Sequence, residues 1–156
     1  MNFTKKLIIS IVACVAIGGL SGALTAGSIS SWYLTLQKPS WNPPNGIFAP
    51  VWTTLYIAMG IAFARIWNKP ASDLKTTAML LFAAQLFLNF WWSIIFFNVR
   101  ELGWALVEIL LMWSAIVATI FYFSKLDRTA MALMIPYICW VSFATFLNFT
   151  IWKLNS

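Results

Sequence analysis

Two sets of side chains recur at helical spacing inside apolar stretches. Gln85, Asn89, Trp92 and Phe96 follow steps of four, three and four, which places two amides and two aromatic rings on one helical face. Pro136, Trp140, Ala144, Leu147 and Asn148 form a second stripe, in which the small Ala144 leaves room beside the Trp140 indole. The chemistry open to such groups is stacking and hydrogen bonding. A flat aromatic ring gains by lying against Trp, and amides in apolar surroundings need partners, either on a neighbouring helix or on a ligand. Acid–base work is poorly provided for: the chain has no His, and Cys14 and Cys139 each stand alone, at no metal or redox spacing. Zinc sites, His-based triads and a disulfide scaffold are therefore disfavoured.

The elements carrying these stripes must be buried in lipid. Of the 156 residues, 62% are hydrophobic and 9% charged, whereas a soluble domain carries about a quarter charged. Five apolar runs, 7–27, 50–67, 76–98, 102–124 and 129–152, each approach the roughly 20 residues that span a bilayer core. Barrel strands would alternate over about ten residues, and Met79 to Leu88 and Ile109 to Phe123 do not. The expectation is an all-α, five-helix membrane bundle forming one domain over 1–156. Within it Glu108 is the one carboxylate well inside a span, a position that by default marks function. It lies close enough to the span's start to reach the interface or pair with Arg100 instead. Small residues in the first span, Gly18, Gly22 and Ala26 alongside Gly19, Ala23 and Gly27, permit close helix contact, which packing within the bundle, a dimer seam or a pocket would each use.

The formal charge of +6 is spread thinly between apolar runs, so it reads as a topology signal and not as a nucleic-acid footprint. Lys5, Lys6, Arg65, Lys69, Lys75, Lys125 and Arg128 fall on one side of a five-span chain, and Lys38, Arg100 and Lys153 on the other. Seven against three places the N-terminus in the cytoplasm and the C-terminus outside. Lys5 and Lys6 before an apolar stretch also resemble a secretory leader, but the run continues past the usual 7–15 residues without a clear cleavage site.

The connection between the first two spans, residues 28–49, is stiff and apolar. Pro39, Pro43, Pro44 and Pro50 fix φ and remove backbone donors, while Trp32, Tyr33, Trp41, Phe48 and Trp52 supply aromatic surface. Such a segment is expected to fold onto the bundle as a lid. Trp32 and Tyr33 are assigned to an interfacial aromatic belt, and Trp41 and Trp52, beside prolines at the mouth of the second span, to the wall of a binding site. Lys38 is the nearest cation in the loop, for a ligand's acidic group or a lipid phosphate.

Trp41-Asn42-Pro43-Pro44 followed by Pro50-Val51-Trp52 resembles the signature of the translocator protein family, the tryptophan-rich sensory proteins. The likeness continues through Asn89 to Phe97 and through Pro136 to Trp140 with Ala144, Leu147 and Asn148, covering nearly the whole chain. The resemblance implies a bacterial-type membrane protein, often a homodimer, that holds no permanent cofactor. Its pocket beneath the first loop would bind a tetrapyrrole such as protoporphyrin IX, and in some members sterols or synthetic benzodiazepine-type ligands. Carried over, the pocket comprises Gly22 and Ala23 in the first span, Trp41, Pro43 and Pro44 in the loop, and Trp52 and Tyr56 in the second span. Asn89, Trp92 and Phe96 in the third and Trp140, Ala144, Leu147 and Asn148 in the fifth complete it. Trp52 and Trp140 match a tryptophan pair implicated in light-driven oxidative breakdown of protoporphyrin IX, so receptor, enzyme and transporter all remain readings of the resemblance. One departure is Leu147 to Lys153, which lacks the Tyr of the animal cholesterol motif and puts sterol binding there in doubt. A looser match at Val117, Tyr122 and Lys125 is what interfacial anchoring produces anyway.

Overall fold

The computed structural model describes all 156 residues, and its regular elements are helices without strands. Helix α1 spans Phe3–Ile29, α2 Trp32–Thr35, α3 Asn45–Trp67, α4 Asp73–Ser93, α5 Leu102–Leu126 and α6 Arg128–Leu154. Asn2, Ser72 and Asp127 start α1, α4 and α6, each side chain accepting a hydrogen bond from a first-turn amide, which satisfies donors a helix end leaves orphaned. Five helices are long and apolar enough to cross a membrane. Only 17% of the apolar window of α1, and at most 33% of any other, is buried within the bundle. Outward faces such as Leu80, Phe87, Leu111 and Phe146 are as apolar as the core, an arrangement that suits lipid and not water. The chain is an integral multi-pass membrane protein.

The helices pack as a ring in which α1 meets α3, α3 meets α6, α6 meets α5, α5 meets α4, and α4 returns to α1. Gly60 permits a close approach in this ring: a Cβ there would stand 2.5 Å from Ile11 Cα, so α1 and α3 touch backbone to backbone. At the end bearing the N-terminus, Arg65 in the last turn of α3 and Lys69 just beyond it hold the Asp127 carboxylate at 3.1 and 3.3 Å, pinning the one-residue connection between α5 and α6. Burial opposes ionisation of Asp127. The Ala130 amide, Arg65 and Lys69 outweigh it, however, and hold the carboxyl at about 2, below its ordinary 3.8.

Three local features differ from the sequence expectation. The first loop is shorter than 28–49, because α1 runs to Ile29 and α3 begins at Asn45, directly after Pro44; Pro50, expected to start the second span, lies inside α3. Beyond Ser93 the α4 helix widens into a π-helical turn over Ile94–Val99, ended by Arg100 with φ 64°. Glu108 does not pair with Arg100. It is 8% exposed, and both carboxyl oxygens are buried without a partner, while the Arg100 guanidinium lies 5.4 Å over the Trp32 ring.

Candidate functional site

At the end of the bundle covered by the first loop, α1, α3, α6 and the π-turn diverge around a cavity of about 500 Å3. Because α3 starts at Asn45, residues 45, 48, 49, 52, 53 and 56 share one helical face, and all six line the cavity. Opposite them stand Trp140, Phe143, Ala144, Leu147, Asn148 and Ile151 of α6. Trp52 and Trp140 meet edge to face with ring centroids 6.5 Å apart, an arrangement favoured by the aromatic quadrupole. Trp52 also stacks on Tyr56 at 5.7 Å, and Phe48 abuts Trp140 at 6.0 Å. The Trp140 Nε1–H is buried and has no hydrogen-bond acceptor, so it is a donor available to an occupant of the cavity.

On the α1 side, Gly22 borders the cavity, and a Cβ there would meet nothing within 4 Å. Gly18 has another use, since its missing side chain makes room for the Tyr56 ring. Trp92 and Ser93 at the end of α4, with Phe96 and Phe97 of the π-turn, form the same wall. With more residues per turn than an α-helix, the π-turn presents the adjacent Phe96 and Phe97 together, and Tyr33 packs on both at 6.2 and 5.5 Å.

Beneath Tyr56 lies a ladder of polar groups. The Tyr56 hydroxyl donates to Asn89 Oδ1, Asn89 Nδ2 donates to the Tyr137 hydroxyl at 2.7 Å, and that hydroxyl donates to Gln85 Oε1 at 2.6 Å. Gln85 Nε2 completes the ladder against Met59 Sδ. Both amides of the α4 stripe are thus satisfied within the bundle, where an unpaired amide would be costly. Asn148 is likewise engaged, accepting from Trp92 Nε1 and donating to the Leu102 carbonyl, each at 3.0 Å.

Of the residues expected at the site, Gly22, Trp52, Tyr56, Trp92, Phe96, Trp140, Ala144, Leu147 and Asn148 are brought together around the cavity. Asn89 sits below it, covered by Tyr56, and its amide oxygen and nitrogen each engage a tyrosine hydroxyl. Ala23 faces outward on α1, and Pro43 and Pro44 shape the loop without lining the cavity. Trp41 is 47% exposed and backs Phe143 edge-on at 5.7 Å instead of forming the wall. Tyr33, assigned to an interfacial belt, is 2% exposed and lines the cavity. Lys38 turns inward on its own loop, donating to the Tyr33 and Leu36 carbonyls at 2.8 and 3.0 Å. Sequence reasoning missed Phe48, Ala49, Phe97 and Phe143; their signal was helical spacing from Trp52, Trp92 and Trp140, hidden by an α3 start placed too late and by the π-turn.

No Lys, Arg, Asp or Glu lines the cavity, and no group of His, Cys, Asp and Glu side chains is arranged to hold a metal ion. What the cavity offers is apolar aromatic surface with a few neutral donors, a lining suited to an extended apolar ligand.

Comparison with known proteins agrees with the motifs. The chain is 44% identical over 153 residues to the tryptophan-rich protein TspO of Chlorobaculum tepidum, covering 96% of this chain and 95% of that one. It is 41% identical over 143 residues to the translocator protein of Bos taurus, covering 90% and 85%. To the tryptophan-rich sensory protein of Cereibacter sphaeroides it is 36% identical over 155 residues, covering 99% and 95%. Residues 10–153 match the model of the TspO/MBR family, and the chain belongs to that family.

Proposed function

We propose that this protein is a membrane receptor for tetrapyrroles, with protoporphyrin IX as the ligand that the cavity would take beneath the first loop. The observation that carries the reading is the cavity itself: about 500 Å3, walled by Trp52, Trp140, Phe48 and Phe143, and without a charged lining residue. A macrocycle would stack against the indoles, and its acidic edge would stay at the mouth, where the apolar wall gives way to water and to neutral donors. Occupancy would be read out through the loop, because Tyr33 belongs both to the loop and to the cavity wall. The Lys and Arg distribution supports a cytoplasmic N-terminus, and similarity to bacterial proteins supports a bacterial cell membrane.

A second reading is favoured by one distance. With Trp52 and Trp140 rings 6.5 Å apart at the cavity, a bound porphyrin excited by light would have redox-active indoles within contact, and dioxygen would serve as the oxidant for its breakdown. Titration with protoporphyrin IX in the dark, followed by illumination with and without oxygen, tests both. Saturable dark binding is expected of the receptor, and a new product formed only with light and oxygen would add the enzymatic activity. Absence of saturable binding would overturn the assignment.

A further inference from the structure

The first loop is fastened by a side chain from the far end of the sequence. The Gln37 amide donates to Asn155 Oδ1 at 3.0 Å, and Asn155 Nδ2 donates to the Gln37 carbonyl at 2.9 Å, a paired contact across 118 residues of chain. A primary amide has one acceptor and one donor group side by side, so it can engage the N–H and C=O of one backbone residue together. Asn155 is itself oriented by the end of α6, where Nδ2 also donates to the Ile151 carbonyl at 2.7 Å. The same helix lines the cavity with Trp140, Ala144 and Ile151.

The rest of the loop transmits this anchor to the cavity. Lys38 Nζ bridges the Tyr33 and Leu36 carbonyls and lies 4.8 Å over the Tyr33 ring, while the Tyr33 hydroxyl donates to Asn42. Residues 33–42 are thus tied together around Tyr33, whose ring is part of the cavity wall. Gln37 and Asn155 are exposed, so the two bonds compete with water and are individually weak. A fastening of that kind holds a flap closed yet opens on thermal motion.

We propose that Asn155 is the latch of the lid, a positioning residue that sets how fast a ligand passes into and out of the cavity. The role rests on the binding reading above. The test uses the full chain in nanodiscs, with protoporphyrin IX in the dark as probe, and measures association, dissociation into excess lipid vesicles, and amide hydrogen exchange. In Asn155→Ala, association and dissociation rates should both rise, by about fivefold for two exposed hydrogen bonds, while Kd changes less than either rate. Exchange across residues 31–44 should quicken without ligand. Asn155→Asp, which keeps the acceptor and loses the donor, should fall between.

Unchanged rates in Asn155→Ala despite a loosened loop would show that the ligand does not pass beneath the loop, and would overturn the role. So would faster exchange across 145–152, which would make Asn155 only a helix cap. Failure of the wild-type chain to bind protoporphyrin IX would remove the cavity reading and the latch together, whereas normal binding with unchanged rates would remove the latch alone.

Discussion

Individual side chains divide into those that face the cavity and those that hold its shape. Trp52 and Trp140 are of the first kind, and their replacement separates affinity from chemistry. Trp52→Phe and Trp140→Phe keep an aromatic face but lose the indole, so light-dependent porphyrin loss should fall far more than affinity, as absorbance titrations in the dark and under light would show. Tyr137 is of the second kind. Tyr137→Phe leaves Asn89 Nδ2 and Gln85 Oε1 without their partner in the core, at a cost of about 1–3 kcal/mol, visible as a lower midpoint of thermal unfolding in detergent. The spacing of Gln85, Asn89, Trp92 and Phe96 did reveal one inward face, but not which amides face a ligand and which face a neighbour. That distinction depends on Tyr56 and Tyr137, which reach the amides from other helices and have no fixed sequence relation to them. Tyr33 was misread for a similar reason: an amphipathic ring near a span end suits a lipid interface and a lid equally.

Among the elements, the long helices were legible because their lengths and apolar runs are dictated by the bilayer, and their ends moved by only a few residues. Less legible were the two irregular pieces that shape the cavity. Pro44 starts α3 early because a helix tolerates proline where its missing N–H is not needed, and the π-turn over Ile94–Val99 inserts a spacing that no 3.6-residue pattern anticipates. Deleting Pro43 and Pro44 would shorten the loop that carries Trp41 and Tyr33 while leaving the five spans intact. Weaker protoporphyrin IX binding with normal membrane insertion is expected; failure to insert would give the loop a folding role. The α5–α6 connection has its own signature. Because the folded Asp127 is held at about 2 against an ordinary 3.8, its stabilising contribution is present above about pH 4 and is lost as pH falls toward 2. Asp127→Asn should flatten that acid-side loss in unfolding midpoints measured between pH 2 and 6.

At the level of the whole molecule, a ring of helices with apolar outer faces leaves a widening at one end, and the first loop covers it. Family membership was readable from motif order along the chain, and the helix ring is what places Trp52 of α3 against Trp140 of α6. The shape of the cavity was not readable, since it depends on small residues opposite the tryptophans. Gly22 shows this most clearly, because its absent side chain borders open space and not a packed neighbour. Filling that space is the most direct test of where a ligand sits. Titration of Gly22→Phe with protoporphyrin IX in the dark, beside the wild-type chain, should show a helical, thermally stable protein whose porphyrin binding is lost or strongly weakened. A folded Gly22→Phe variant that binds as the wild type does would place the ligand elsewhere and contradict the assignment of this cavity.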